Sequence, residues 1–198
     1  MKRRIFTIHG GNAFASYDEY MDSLRTKVID LDRFQQKGWR NNLGEVLGEG
    51  YEVISPRMPN ANNAKYEEWK IWFEKHIPFM RDGVVLIGHS LGGIFLAKYL
   101  SENRMPVKIA ATFLVAAPYD LDSERKIVEF TLPESLALLS EQAGKLFLYQ
   151  SKDDQVVSFT ELAKYSAALP SAQAVVFEDR GHFDQEQLPE IVRDIEEL

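Results

Sequence analysis

Cysteine is absent from the 198 residues, which removes disulfide frameworks, thiolate zinc sites, iron–sulfur clusters and cysteine nucleophiles from consideration. Positive charge is scarce: 23 Lys and Arg stand against 30 Asp and Glu, a net charge of −7, and beyond Lys2-Arg3-Arg4 there is no basic run. Nucleic-acid binding depends on clustered cations that neutralise phosphates, so a nucleic-acid partner is not expected. Long apolar runs are missing too. Ile5-Phe6-Thr7-Ile8 stops at His9-Gly10-Gly11, and the stretch 84–87 is strand-sized. Neither suits an export signal or a membrane span, and the expected location is cytoplasmic, with no membrane partner. What is present is 45% hydrophobic and 27% charged. That is an ordinary globular composition, and the length suits one domain over residues 1–198.

Short β-branched or aromatic runs at 4–8, 51–55, 84–88, 109–116, 145–150 and 174–177 alternate with helical patterns at 39–47, 65–79, 91–100, 134–143, 159–169 and 188–198. The runs are nearly continuous in apolar residues, as strands buried on both faces of a parallel sheet require. The pattern predicts an α/β fold with a mostly parallel, roughly six-stranded sheet and helices on both faces. Ligands then bind at the carboxyl ends of the strands. Residues 12–37 separate the first strand from its helix by more than a connecting loop needs. Ser16, with Glu19 three residues on, reads as a capping box, so this segment is expected to be an insertion or small lid.

Gly88-His89-Ser90-Leu91-Gly92 follows the apolar run 84–87 and precedes a helical pattern. This is G-x-S-x-G in a strand–turn–helix setting, the nucleophile elbow of α/β-hydrolases. A sharp turn lifts the serine hydroxyl into a cleft, and small residues two before and two after it let strand and helix backbones meet. Ser90 is the expected nucleophile. Its hydroxyl needs a base, and the base needs an orienting acid. Of the four histidines, His76 reads as a helix-surface residue and His9 ends the first strand. His182, in Arg180-Gly181-His182-Phe183 after the last strand, is in the place of the base. The acid belongs between them, after a strand. Asp154 in Asp153-Asp154-Gln155-Val156-Val157 is the better candidate, with Asp120 as a rival. Backbone N–H groups of Leu91 and Gly11 are the expected oxyanion donors. Beside them, Asn12, His89 and Tyr119 are candidate substrate-lining residues, although His89 is expected to point away from the reacting centre.

An ordered series extends this local match: His9-Gly10; Trp39, Leu43 and Leu47; Gly50-Tyr51-Glu52-Val53 with Pro56 and Pro59; Glu67-Glu68-Trp69; Ile87 to Gly93; Val115-Ala116-Ala117-Pro118; Asp153 to Val157; and Gly181-His182-Phe183. The chain resembles the compact α/β-hydrolases of the retinoblastoma-binding-protein-9-like serine hydrolase family. The resemblance implies a small sheet without a large cap, a triad of Ser90, Asp154 and His182, and hydrolysis of acyl esters. It departs from that family at 12–37, where Phe14, Tyr17, Tyr20, Met21, Leu24 and Phe34 are candidates either to line an acyl pocket or to pack the insertion onto the body.

The expected activity is therefore a serine hydrolase acting on a small-molecule acyl ester, with no cofactor and no metal. Two alternatives stand beside it: a thioesterase or amidase with the same triad, and a catalytically weak module of this fold that binds a protein partner.

Overall fold

The computed structural model describes residues 2–29, 38–120 and 128–198. Its six strands are β1 (Arg3–Ile8), β2 (Tyr51–Ile54), β3 (Val84–His89), β4 (Ile109–Val115), β5 (Lys145–Ser151) and β6 (Gln173–Phe177). They form one sheet in the order β2-β1-β3-β4-β5-β6, and every neighbouring pair is parallel. The helices are α1 (Tyr17–Thr26), α2 (Trp39–Leu47), α3 (Tyr66–Glu74), α4 (Leu91–Glu102), α5 (Ala137–Gln142), α6 (Thr160–Ala168) and α7 (Pro189–Glu196).

The two-residue period of a strand sorts the apolar side chains into two layers. Ile5, Val85, Ile87, Phe113, Phe147 and Tyr149 point to the face covered by Trp39, Leu43 and Leu47 of α2 and Ile191 and Ile195 of α7. Phe6, Ile8, Leu86, Leu114 and Leu148 point to the other face, against residues of α3, α4, α5 and α6. Both faces of the inner strands β1, β3, β4 and β5 are covered, and these read as nearly unbroken apolar runs, whereas the edge strands β2 and β6 are largely open to solvent. Trp69 of α3 is fully buried, and its indole N–H donates to the Pro59 carbonyl at 2.8 Å, which satisfies its one polar atom.

The helical pattern at 65–79 is divided. α3 ends at Glu74, and a separate 3-10 turn covers Ile77–Phe79. Pro78 has no N–H to donate and disfavours helical backbone in the residue before it, so α3 cannot run through. At the other end of the chain's first crossover, Ser16 caps α1. Its hydroxyl accepts the Glu19 N–H at 3.2 Å, and the Glu19 carboxylate accepts the Ala15 N–H at 3.0 Å. α1 buries none of its residues. The remainder of the insertion, 30–37 with Phe34, lies outside the described residues.

From β1 the chain runs outward to β2, then crosses back to pair β3 on β1's other side. Such a reversal opens a crevice at the carboxyl ends of β1 and β3, where α/β sheets bind ligands. His9-Gly10-Gly11 leaves one of these ends and Ser90 the other.

Candidate active site

Ser90 stands between β3 and α4 at φ 55°, ψ −122°. This backbone conformation is costly for a residue with a side chain. Close contacts hold it there. A Cβ on Gly88 would lie 2.4 Å from the Gly92 carbonyl oxygen, and one on Gly92 would lie 2.3 Å from the Ile8 carbonyl oxygen. Only glycine allows these three backbones to meet. The Ser90 N–H donates to Val115 O at 2.8 Å, and Ser90 O accepts the Gly93 N–H at 2.8 Å. The main chain is thus tied on both sides, and the hydroxyl faces the turn after β1: a Cβ on Gly10 would lie 3.1 Å from Ser90 Cβ and 3.5 Å from Oγ.

Two expected donors flank this hydroxyl. Leu91 begins α4, so its N–H has no intrahelical acceptor. Gly11 packs so closely that a Cβ there would stand 2.6 Å from Ala61 O and 3.3 Å from the Leu91 side chain. Among the described residues neither N–H has a hydrogen-bond partner. The next residue, Asn12, is fixed through its backbone: its N–H donates to Ala61 O and its carbonyl accepts the Ala64 N–H, both at 2.8 Å.

His9 holds the same turn. Its Nε2 accepts the Met58 N–H at 2.9 Å, so the ring proton is on Nδ1 and donates to Gly10 O at 2.6 Å. Burial, and then the charges of Arg40 and Arg57, push its protonation below the ordinary histidine range.

The loop after β6 carries His182 through a tight turn in which Gly181 and Phe183 both have positive φ, 50° and 57°. Phe183 is buried edge-on against Phe177 and anchors the turn. His182 Nδ1 lies 2.9 Å from Asp154 Oδ2 and 3.2 Å from Oδ1. Asp154 is buried, and its Oδ1 accepts the N–H groups of Val156 and Val157 at 2.8 and 2.9 Å. These bonds compensate the desolvated carboxylate and fix its direction. The rival Asp120 pairs with Lys164, and the Tyr119 and Asp120 N–H groups are both held by buried Glu161. The Tyr119 ring lies edge-on to Tyr165 at 5.0 Å.

His89, the chain neighbour of Ser90, packs its ring beside that of His182. The two imidazole centroids are 4.9 Å apart, while among the described residues no hydrogen bond joins Ser90 Oγ to the His182 ring. Both His89 nitrogens are engaged, Nδ1 by Arg40 and Nε2 by the His182 carbonyl at 2.7 Å. His89 therefore has no nitrogen left for a ligand. Arg40 is a residue that sequence reasoning missed, because nothing in the spacing joins it to a partner 49 positions away. Near the site, a depression of about 590 Å³ opens beside His182. Another of about 420 Å³ is lined by Tyr20 of α1 with Asn60, Asn62, Asn63 and Lys65. Among the described residues no three His, Asp or Glu side chains converge as a metal site, and no helix is long and apolar enough to cross a membrane.

Comparison with known proteins places this geometry in context. The serine hydrolase RBBP9 of Rattus norvegicus is 23% identical over 162 residues, covering 81% of this chain and 84% of that protein. The crystal structure of the ydeN gene product from Bacillus subtilis superposes with a TM-score of 0.79 at 20% identity, covering 99% and 98% of the two chains. A thioesterase domain from the curacin biosynthetic pathway shares the fold at a TM-score of 0.64 and 11% identity, over 100% of this chain and 92% of that one. The α/β-hydrolase fold expected from the sequence is the fold observed. The sequence profile of the serine hydrolases matches residues 33–190, and the chain belongs to the serine hydrolase family.

Proposed function

We propose that the chain hydrolyses small acyl esters through a covalent intermediate on Ser90, with His182 as general base and acid and Asp154 as its orienting partner. The observation that carries this reading is the buried Asp154 carboxylate bonded to His182 Nδ1 at 2.9 Å. That bond fixes the proton on Nδ1 and leaves the Nε2 lone pair free to take a proton from a hydroxyl.

In the first step His182 Nε2 takes the Ser90 proton as Oγ bonds to the ester carbonyl carbon. Charge developing on the carbonyl oxygen is received by the N–H groups of Leu91 and Gly11. The imidazolium then gives its proton to the departing alkoxide, which leaves as an alcohol. Water, deprotonated by the same nitrogen, attacks the acyl-enzyme, and the acid departs with Ser90 reprotonated. The Ser90–His182 hydrogen bond forms with substrate in place, as such contacts tighten in the reacting complex.

Turnover of a short p-nitrophenyl ester, with Ser90→Ala and His182→Ala as controls, tests the assignment. Both variants are expected to lose turnover, and Ser90→Ala to lose labelling by a fluorophosphonate probe, with the fold retained. Undiminished labelling of Ser90→Ala overturns it. A parallel series of esters, thioesters and amides with one acyl group decides the leaving-group class.

A further inference from the structure

The base-bearing loop is held from outside by the first turn of α2. Trp39 Nε1 donates to Phe183 O at 3.0 Å, and the Trp39 backbone N–H donates to Gln185 O at 2.7 Å. Asn42 Nδ2 reaches Glu186 O at 3.4 Å. The Trp39 N–H is one of the donors that a helix start leaves without an intrahelical partner, and here it is spent on the loop. The fourth carbonyl in this set, that of His182 itself, is reached indirectly. It accepts from His89 Nε2 at 2.7 Å, and His89 Nδ1 meets Arg40 Nη1.

The chemistry of that chain runs in one direction. A guanidinium has donors only and does not give up its proton. His89 Nδ1 facing it must therefore be a lone pair, which puts the ring proton on Nε2, where it meets the His182 carbonyl. Without Arg40 the proton is free to sit on Nδ1, and a lone pair on Nε2 would then oppose the carbonyl oxygen. Burial and the Arg40 charge both hold His89 in its neutral form, as this chain of bonds requires.

We propose that Arg40 and His89 are positioning residues for His182: Arg40 selects the His89 tautomer, and His89 in turn fixes the His182 main chain, so that the imidazole is presented to Ser90 and Asp154 together. This rests on the reading of His182 as the base. It assigns to the first turn of α2 a task beyond packing, and it explains why the x position of the elbow is a histidine with no nitrogen open to a ligand.

The test is a set of variants: Arg40→Met, His89→Leu, His89→Gln and the double variant Arg40→Met/His89→Leu. Each is checked for folding by circular dichroism, then assayed for kcat and KM on a p-nitrophenyl ester. Displacing a reacting group by about an ångström costs on the order of 100-fold. Arg40→Met and His89→Leu are expected to lower kcat by about 10- to 100-fold with KM within about twofold. Glutamine offers an N–H to the His182 carbonyl and an oxygen to Arg40, so His89→Gln is expected to recover most of the kcat lost in His89→Leu. The double variant is expected to be no worse than the poorer single one, since the two residues act as a unit. An independent readout is the His182 Nδ1–H proton resonance, retained in the wild type and His89→Gln and lost to exchange in His89→Leu and Arg40→Met. Folded Arg40→Met protein with native kcat and an unchanged resonance overturns the proposal, as does strict additivity. If the wild type fails to turn over esters, the proposed activity fails, and the resonance still decides the positioning role. If His89→Leu does not fold, Arg40→Met and His89→Gln carry the comparison.

Discussion

Asp153 Oδ1 accepts the Gly181 N–H at 2.8 Å, and so ties the loop after β5 to the loop after β6 one residue away from each of Asp154 and His182. The same oxygen accepts the Ser151 hydroxyl at 2.5 Å, and that hydroxyl oxygen accepts the Arg180 N–H at 2.9 Å. The Ser151 and Gly181 donors hold the Asp153 carboxyl below the usual carboxylate range. Asp153→Ala is expected to lower kcat about tenfold by loosening the approach of the two loops, while Asp153→Asn, which keeps an acceptor oxygen, is expected to lose less. Steady-state kinetics of the pair, with KM as the control, checks this.

Asp154→Asn keeps an oxygen for the Val156 and Val157 N–H groups but no longer orients the His182 tautomer. The fold is expected to survive and kcat to fall by about 10³- to 10⁴-fold. Activity within tenfold of wild type would remove Asp154 from the mechanism and return attention to other carboxylates.

The elbow stores strain that substitution can release. Ser90→Gly removes the side chain from a φ of 55°, and the relief outweighs the added freedom of glycine in the unfolded chain. A net gain of about 1 kcal/mol is expected, with complete loss of activity. Gly92→Ala is the opposite case, since the new methyl meets the Ile8 carbonyl at 2.3 Å. A loss of about 3 kcal/mol is expected from forcing α4 off the sheet. Urea unfolding of both proteins measures the two signs.

His89 makes stability depend on pH. It is buried neutral, and protonation is pushed well below its ordinary pKa of 6.5 by burial first and then by Arg40. Well above pH 6.5 neither the folded nor the unfolded state carries the proton, and the contribution is complete. As the pH falls below 6.5 the unfolded chain takes up a proton that the folded chain refuses, so stability declines. The slope is at most about 1.4 kcal/mol per pH unit for one histidine. Denaturation midpoints at pH 7.5, 6.5 and 5.5 are expected to fall more steeply in the wild type than in His89→Gln, with His9 supplying part of the slope that remains.

Much of the fold was legible because it rests on local physics. Strands buried on both sides must be largely apolar, which marked the inner four, and the β-branched and aromatic residues of 51–55 and 174–177 marked the two edges, so the six runs correspond to the six strands of the sheet. Ser16 and Glu19 announced a helix start through capping chemistry that involves four residues. The elbow was legible because close backbone contact admits only glycine at 88 and 92. Pro78 marked where the apolar period at 65–79 had to stop, and α3 closes a little before it, at Glu74. The roles of Arg40, His9 and Glu161 were not legible at all. Each depends on a backbone carbonyl, amide or ring brought near by the packing of distant elements. Glu161 in particular reads as an ordinary polar residue of a helical pattern, yet it is 1% exposed and holds the N–H groups of Tyr119 and Asp120.

Helix α1 supplies its own terminal hydrogen bonds and adds nothing to the interior. A segment built this way can be rewritten residue by residue without the sheet registering the change. The outward side of α1 is therefore free to diverge in composition, while the turn after β1 and the elbow after β3 keep their places.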